Sequence, residues 1–241
     1  MTDGRLEQVP EDWQRALAIA AHPDDLEYGP SSAIARWTAT GKQVIYLLAS
    51  RGEAGIDGWP PERTAAVREA EEQESARLVG VARVEFLDYR DGTIEYGLPL
   101  RCGFARAIRQ HRPEVIVTAN FGFFWPGGNL NQADHRAVGL AACDAAQDAG
   151  NRWIFPELIA QGLEPWSGVR WIFISGVPSP THACDIGAVM ERGIASLRAQ
   201  RAYLEGLGGQ FDPAEFLREQ AARAGSRFGC QYAVAFQVLR L

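Results

Sequence analysis

A chain of 241 residues, 46% hydrophobic and 22% charged, has the length of one ordinary α/β domain and enough apolar matter for a core that needs no staples. Its net charge of −6 removes any electrostatic case for nucleic acid as a partner. The polar start Met1-Thr2-Asp3-Gly4-Arg5 is unlike a secretory signal, and no apolar run has the length of a membrane span, so the chain is expected to be cytoplasmic.

In chain order, Ala16–Ala21 is short, wholly apolar and closed by a polar cluster, as a buried strand of a parallel sheet would be. A helix is predicted over Ser31–Thr40, stopped by Gly41, followed by a strand over Gln43–Ala49. Arg51–Pro61, rich in Gly and Pro, is a loop, and Glu62–Leu78 is a charged amphipathic helix ended by Gly80. A strand over Val84–Leu87, a helix over Leu100–Gln110, a strand over Val115–Thr118 and a helix over Asp134–Ala149 continue the alternation. Beyond it, Arg170–Ser175 reads as a strand and Ile186–Leu204 as one long helix. Phe211–Ala224 reads as a further helix and Tyr232–Leu239 as a last strand. Alternating strands and helices predict an α/β layered fold, with a mostly parallel sheet and helices on both faces. No repeat, low-complexity tract or linker divides it, so residues 1–241 are expected to form one domain. The four cysteines, Cys102, Cys143, Cys184 and Cys230, make no CxxC pair and lie in apolar stretches, which predicts reduced, buried small hydrophobes.

In open α/β sheets, ligands bind beyond the carboxyl ends of the strands. His22-Pro23-Asp24-Asp25 lies there, at the end of the first strand, and three acids (Asp24, Asp25 and Glu27) crowd a short stretch. Such crowding is unfavourable unless a cation neutralises it. A catalytic zinc usually takes three His or carboxylate ligands and keeps one position open, and His22 and Asp25 can supply two. With four histidines in the chain, the search for a third is short. His111 precedes Arg112-Pro113 at a helix end, away from that rim, and reads as a surface or capping residue. His135 opens a helix after the fourth strand's loop and is the best third ligand; His182, in the loop Pro178–His182, could also face the rim. A lone His-Pro-Asp would be read as a turn with Asx bonding; the strand position and the doubled aspartate favour the metal.

Ala21-His22-Pro23-Asp24-Asp25 resembles the signature of the LmbE/PIG-L family of N-acetylglucosaminyl deacetylases and related amidases. Arg51-Gly52-Glu53-Ala54-Gly55, Arg68-Glu69 with Ala76, Leu78 and Gly80, Tyr89-Arg90-Asp91-Gly92, Asp134-His135 and Cys184-Asp185-Ile186 resemble its other motifs in the expected order. The likeness spans roughly residues 16 to 205. It implies a Rossmann-like fold and one zinc (another divalent metal is compatible) held by His22, Asp25 and His135, with Asp24 as general base. Glu53, Arg68 and Asp91 resemble residues that hold sugar hydroxyls in the family; read without it, they are a solvated loop and a helix-surface ion pair.

Two departures stand out. Gln132 occupies a position where many family members carry histidine, and Gln200 occupies another in the long C-terminal helix. Glutamine donates a neutral hydrogen bond but delivers no proton, so Gln132 is left with an oxyanion role, and protonation of the leaving amine falls to Asp24 or His182. Phe121–Gly128 places four aromatics in a Gly-rich loop just before His135, either as core packing or as the wall of an acyl or aglycone pocket. The expected activity is metal-dependent removal of an N-acyl group, acetyl foremost, from a small amino-sugar substrate, with homo-oligomerisation compatible. The rivals are an amidase of a bulkier secondary metabolite or thiol conjugate, and a metal-containing sugar-binding protein without catalysis.

Overall fold

The apolar runs pair into one eight-stranded sheet in the computed structural model, which describes residues 4–208 and 211–241; Met1, Thr2 and Asp3 of the polar start lie outside the described residues. The strands are β1 (Glu7–Gln8), β2 (Arg15–Ala20), β3 (Gln43–Leu48), β4 (Val84–Phe86), β5 (Val115–Ala119), β6 (Trp171–Ser175), β7 (His182–Asp185) and β8 (Ala233–Arg240). Their spatial order is β1-β7-β8-β6-β5-β2-β3-β4. Only β8 runs against its neighbours, β6 and β7. The helices are α1 (Asp25–Tyr28), α2 (Ser31–Ala39), α3 (Pro61–Leu78), α4 (Leu98–His111), α5 (Ala133–Asp148), α6 (Glu157–Ala160), α7 (Met190–Ala199), α8 (Arg201–Gly206) and α9 (Pro213–Phe228).

Strand β2 shows why the first apolar run has no polar face. Ala16, Ala18 and Ala20 join one core with α2, α3, α7 and α9, while Leu17 and Ile19 join the other with α4, α5 and α6. Successive side chains of a strand point to opposite faces, so a strand covered on both sides must be apolar throughout. The alanines on the first face leave room for large aromatics: Trp37 packs edge-on against Trp13 at 5.3 Å between ring centroids and stacks on Phe236 at 5.9 Å.

The chain winds from β2 through β3 to β4 on one side, then returns so that β5 pairs on the other side of β2. The crevice between the carboxyl ends of β2 and β5 is therefore the topological switch point, where α/β sheets bind ligands.

Three expectations are corrected. The helix predicted over Ile186–Leu204 is two, α7 and α8, broken at Gln200 (φ −76°, ψ 55°), whose buried amide donates to Glu72 Oε2 at 2.7 Å. The segment containing His182 is not a loop, because residues 182–185 pair with β8, a partner about fifty residues away that local pattern cannot reveal. The cysteines are all free, but only Cys184 is buried and the other three are half-buried.

Candidate functional site

His22 is the second residue past the end of β2, after Ala21, and Pro23 and Asp24 turn the chain into α1. Asp24 sits at φ 90°, ψ −28°, one of three non-glycine residues with positive φ among the described residues. This conformation costs an L residue about 1–3 kcal/mol and clusters at functional sites. It places two consecutive aspartates in different surroundings.

Asp25 turns back toward the strand end. Its Oδ2 accepts the backbone N–H groups of Ala21 and His22, each at 3.0 Å, and its Oδ1 lies 3.0 Å from His135 Nε2. The ring of His135 is oriented from its other nitrogen. Asn131 Nδ2 donates to the carbonyls of Asn120 (2.7 Å) and Gly122 (3.0 Å), which fixes Asn131 Oδ1 as the acceptor for His135 Nδ1–H at 2.9 Å. With Nδ1–H engaged by Asn131, Nε2 is the nitrogen that faces Asp25 and that a metal would take in place of a proton.

His22 is set in the same way. Its Nε2 lies 3.2 Å from Asp134 Oδ2 and 3.0 Å from Asp91 Oδ1, both carboxylate oxygens, so Nε2 carries a proton and Nδ1 is the nitrogen that a metal would engage. Those carboxylates are themselves held by backbone. Asp134 accepts the N–H groups of Gly92 (2.7 Å) and Ile94 (3.1 Å), and Asp91 accepts that of Ala54 (2.8 Å).

Among the described residues, two groups of side chains could hold a metal ion: His22, Asp25 and His135, and His22, Asp91 and Asp134. The hydrogen bonds separate their roles. Asp91 and Asp134 spend their oxygens on backbone donors and on His22 Nε2–H, so they orient the imidazole, as carboxylates behind a metal-bound histidine commonly do. His22 Nδ1, Asp25 Oδ1 and His135 Nε2 are the atoms left over, and two imidazoles with one carboxylate suit zinc. The charge balance agrees. Burial would lower the His22 imidazole, yet its hydrogen bonds to Asp134 and Asp91 outweigh burial and raise it to about 10. This excess of negative charge is what a divalent cation would neutralise.

Asp24 is not one of the three candidate ligands and has a partner of its own. Its Oδ1 accepts from Arg68 Nη2 at 2.7 Å, and the side chains are 9% and 2% exposed. Burial pushes the Asp24 carboxyl up, the Arg68 charge pulls it back and the Asp25 charge raises it again, leaving it at about 6. Arg68 also donates to the carbonyls of Gly52 (3.0 Å) and Pro23, and Tyr203 lies under its guanidinium at 4.5 Å. The approach depends on Gly52, at φ +65°, because a Cβ there would collide with the Arg68 guanidinium.

The other sequence-predicted residues divide. Asp91 is at the site, but beneath His22. Glu53 is one step further out, where its Oε1 accepts the Asp91 N–H at 2.9 Å. Arg68 is neither a sugar clamp at the surface nor a surface ion pair: it is buried, with Nη2 on the turn that carries Asp24 and Nη1 on the Gly52 carbonyl. Gln132 is the exposed N-cap residue of α5. His182 is not brought to the cluster; it bonds Thr181 Oγ1 at 2.8 Å and lies 3.8 Å from Glu7. His111 stays remote, as expected, but its side chain is largely buried against Glu85 at 3.0 Å.

Asn131, Asp134, Glu72 and Tyr203 were not singled out from the sequence. Asp134 adjoins His135, and Glu72 stands four residues after Arg68 on the same helical face, so both left a signal. Tyr203 left none.

Comparison with known proteins places this site in a family. The chain is 29% identical over 238 residues to the diacetylchitobiose deacetylase of Thermococcus kodakarensis, covering 96% of this chain and 85% of the relative. The structure resembles that of N,N'-diacetylchitobiose deacetylase from Pyrococcus horikoshii with a TM-score of 0.84 and 25% identity, covering 95% and 85% of the two chains. It resembles the conserved protein TT1542 from Thermus thermophilus with a TM-score of 0.75 and 26% identity, covering 92% and 93%. A 4-carboxy-2-hydroxymuconate hydratase from Pseudomonas putida, at 19% identity, has the same fold with a TM-score of 0.75, covering 94% and 96%, so the fold by itself does not name a reaction. The family model described as PIG-L, GlcNAc-PI de-N-acetylase, matches residues 17–146, more than half of the chain, and the chain belongs to the PIG-L family.

Proposed function

We propose that this protein is a metal-dependent deacetylase that removes the N-acetyl group from a substrate containing N-acetylglucosamine, with His22, Asp25 and His135 as ligands and Asp24 as the proton-transfer group. The observation that carries the proposal is the convergence of three metal-ligating side chains, each fixed by hydrogen bonds from its other side, next to a buried carboxylate paired with Arg68. A zinc ion bound there would acidify water and polarise the acyl carbonyl.

The chain's own residues supply the rest. Asp24 takes a proton from the attacking water as its oxygen bonds to the acyl carbon. When the carbon–nitrogen bond breaks, Asp24 returns that proton to the leaving amine. Arg68 engages Asp24 Oδ1, so the transfer falls to Oδ2. With His182 held on β7 by Thr181 and Glu7, Asp24 is left to act as both base and acid. Gln132 is kept as a neutral donor toward the developing oxyanion. A protein that only held a sugar would gain nothing from a buried, backbone-strained carboxylate beside a metal site, which argues against the non-catalytic reading.

The test is metal content measured together with acetate release from N-acetylglucosamine and its glycosides. Asp24→Asn should keep its metal and lose turnover by about 10²–10⁴-fold. Wild-type turnover in that variant would sink the mechanism. Failure of the metal-loaded wild type on every acetylated amino sugar would sink the substrate class.

A further inference from the structure

The loop between β5 and α5 turns an apolar face outward. Residues 123–131 form a small hairpin: Phe124 and Leu130 bridge, Trp125 N–H donates to the Asn129 carbonyl at 2.8 Å, and Asn131 N–H donates to the Phe123 carbonyl at 2.7 Å. Gly127 and Gly128, at φ 98° and 90°, make the tip. Phe123, Phe124 and Leu130 are 67%, 56% and 71% exposed. Phe121–Gly128 contains no charged side chain, and the Trp125 indole N–H is its one side-chain polar group. Single exposed apolar side chains are ordinary, but a fixed cluster of large ones marks a contact surface.

The hairpin is joined to the metal site at two points. The edge of Trp125 meets the His135 ring at 5.6 Å, in a space that Gly176 provides; a Cβ at that glycine would come within 2.8 Å of the indole. Asn131 bonds the loop carbonyls with its amide nitrogen and His135 with its oxygen. The Arg136 guanidinium, which donates to the Asn131 carbonyl, lies over the Phe123 ring at 5.3 Å and holds that ring outward.

We infer that this hairpin is an aglycone subsite: Phe123, Phe124 and Leu130 bind an apolar aryl or alkyl group carried by the amino sugar while its amide lies at His22, Asp25 and His135. The inference rests on the deacetylase reading above. An acetyl group is too small to cover three such side chains, so the occupant is on the other side of the scissile amide. Phe123, Phe124 and Leu130 themselves offer no donor or acceptor, so a bare second sugar would find polar partners only beside them, in Asn129 and Arg136.

The test uses the metal-loaded full chain and its Phe123→Ser/Phe124→Ser double variant, in which both changed side chains are exposed. Substrates are N-acetylglucosamine, its phenyl and octyl β-glycosides, and N-octanoylglucosamine. The wild type should prefer the phenyl glycoside to the free sugar, chiefly through KM. The ratio of kcat/KM values should fall about tenfold in the variant. An unchanged ratio overturns the inference. So does a loss confined to the N-octanoyl substrate, which would assign the face to the acyl chain, or a change of sedimentation in the variant, which would assign it to contact between copies of this chain. Calorimetric binding of phenyl β-glucosaminide, the deacetylated product, reads the subsite without turnover. If no substrate is hydrolysed but this binding weakens about tenfold in the variant, the reaction is misassigned and the subsite stands.

Discussion

Two ion pairs of equal length stand at opposite ends of the same strands. At the carboxyl end, Arg68 Nη2 meets Asp24 Oδ1 at 2.7 Å; at the amino end, Arg170 Nη1 meets Asp12 Oδ2 at 2.7 Å. The first pair is 2% and 9% exposed, the second 41% and 67%. Each also has backbone partners: Arg68 bonds the Gly52 and Pro23 carbonyls, and Arg170 bonds the Asp12 carbonyl. Distance does not distinguish them, but water does. A charge pair in solvent is screened and gains little, whereas a buried pair leaves an uncompensated charge when one partner is removed.

The largest effect is therefore expected at Arg68. Arg68→Ala would strand Asp24 and empty the space beside Gly52, costing about 3–5 kcal/mol of unfolding free energy. For a chain of this size that is on the order of 10 °C in Tm. Arg68→Lys, which restores a charge without the planar fork, should recover part of the loss, because one ammonium cannot reproduce the bonds to Asp24, Pro23 and Gly52 together. Urea unfolding of the three proteins decides the matter, and an alanine variant as stable as wild type would mean that Asp24 is not buried as described.

A smaller effect, on the metal and not on the fold, separates the two jobs of Asn131. Asn131→Ala frees His135 Nδ1 and also unpins the hairpin, and loss of such an outer partner typically weakens metal binding about 10–100-fold. Asn131→Asp keeps an acceptor for His135 but removes both donors to Asn120 and Gly122. Competition with a chelator should show near-normal metal affinity for the aspartate variant and a clear loss for alanine. Equal losses would place the role of Asn131 in the loop alone.

The contrast between the two ends also explains what could be read from the sequence. The layered fold was legible because β2, β3 and β5 are buried on both faces and read as unbroken apolar runs. The segment His22–Asp25 was legible because four residues concentrate three ligand-type side chains at a strand end, and a cation is the simplest neutraliser. His135 was legible as the best third ligand because it opens a helix on the same rim as His22, and the family resemblance implied it, while His182 stayed open. The hydrogen bonds that decide function were not, since they join residues far apart in the chain. Arg68 reaches Asp24 across 44 positions and Asp134 reaches His22 across 112. His182 stayed open as a further candidate because a short strand whose partner follows some fifty residues later leaves no local period. Arg68 looked like a surface residue because its helix is charged along most of its length; burial of one arginine on such a helix is set by what packs over it, here Tyr203.

The smallest effect completes the comparison. Arg170 precedes β6, Asp12 precedes β2 and Glu114 precedes β5, so the three tie together the starts of strands whose far ends frame the candidate metal site. Were pairing distance the measure of worth, Arg170→Ala would match Arg68→Ala. Solvent reaches Arg170 and Asp12, and Glu114 keeps its bonds to the Gln14 and Arg15 N–H groups (2.7 and 3.2 Å) without Arg170. The register of β2 against β5 is thus held independently of the arginine. Arg170→Ala should leave Tm within about 1 °C of wild type and leave turnover unchanged. Any small loss should shrink as ionic strength rises past about 0.1 M, where exposed charges are screened over roughly 10 Å. A loss that approached the Arg68 effect, or that persisted in salt, would show that the amino-end charges hold the strands in register for the site above them.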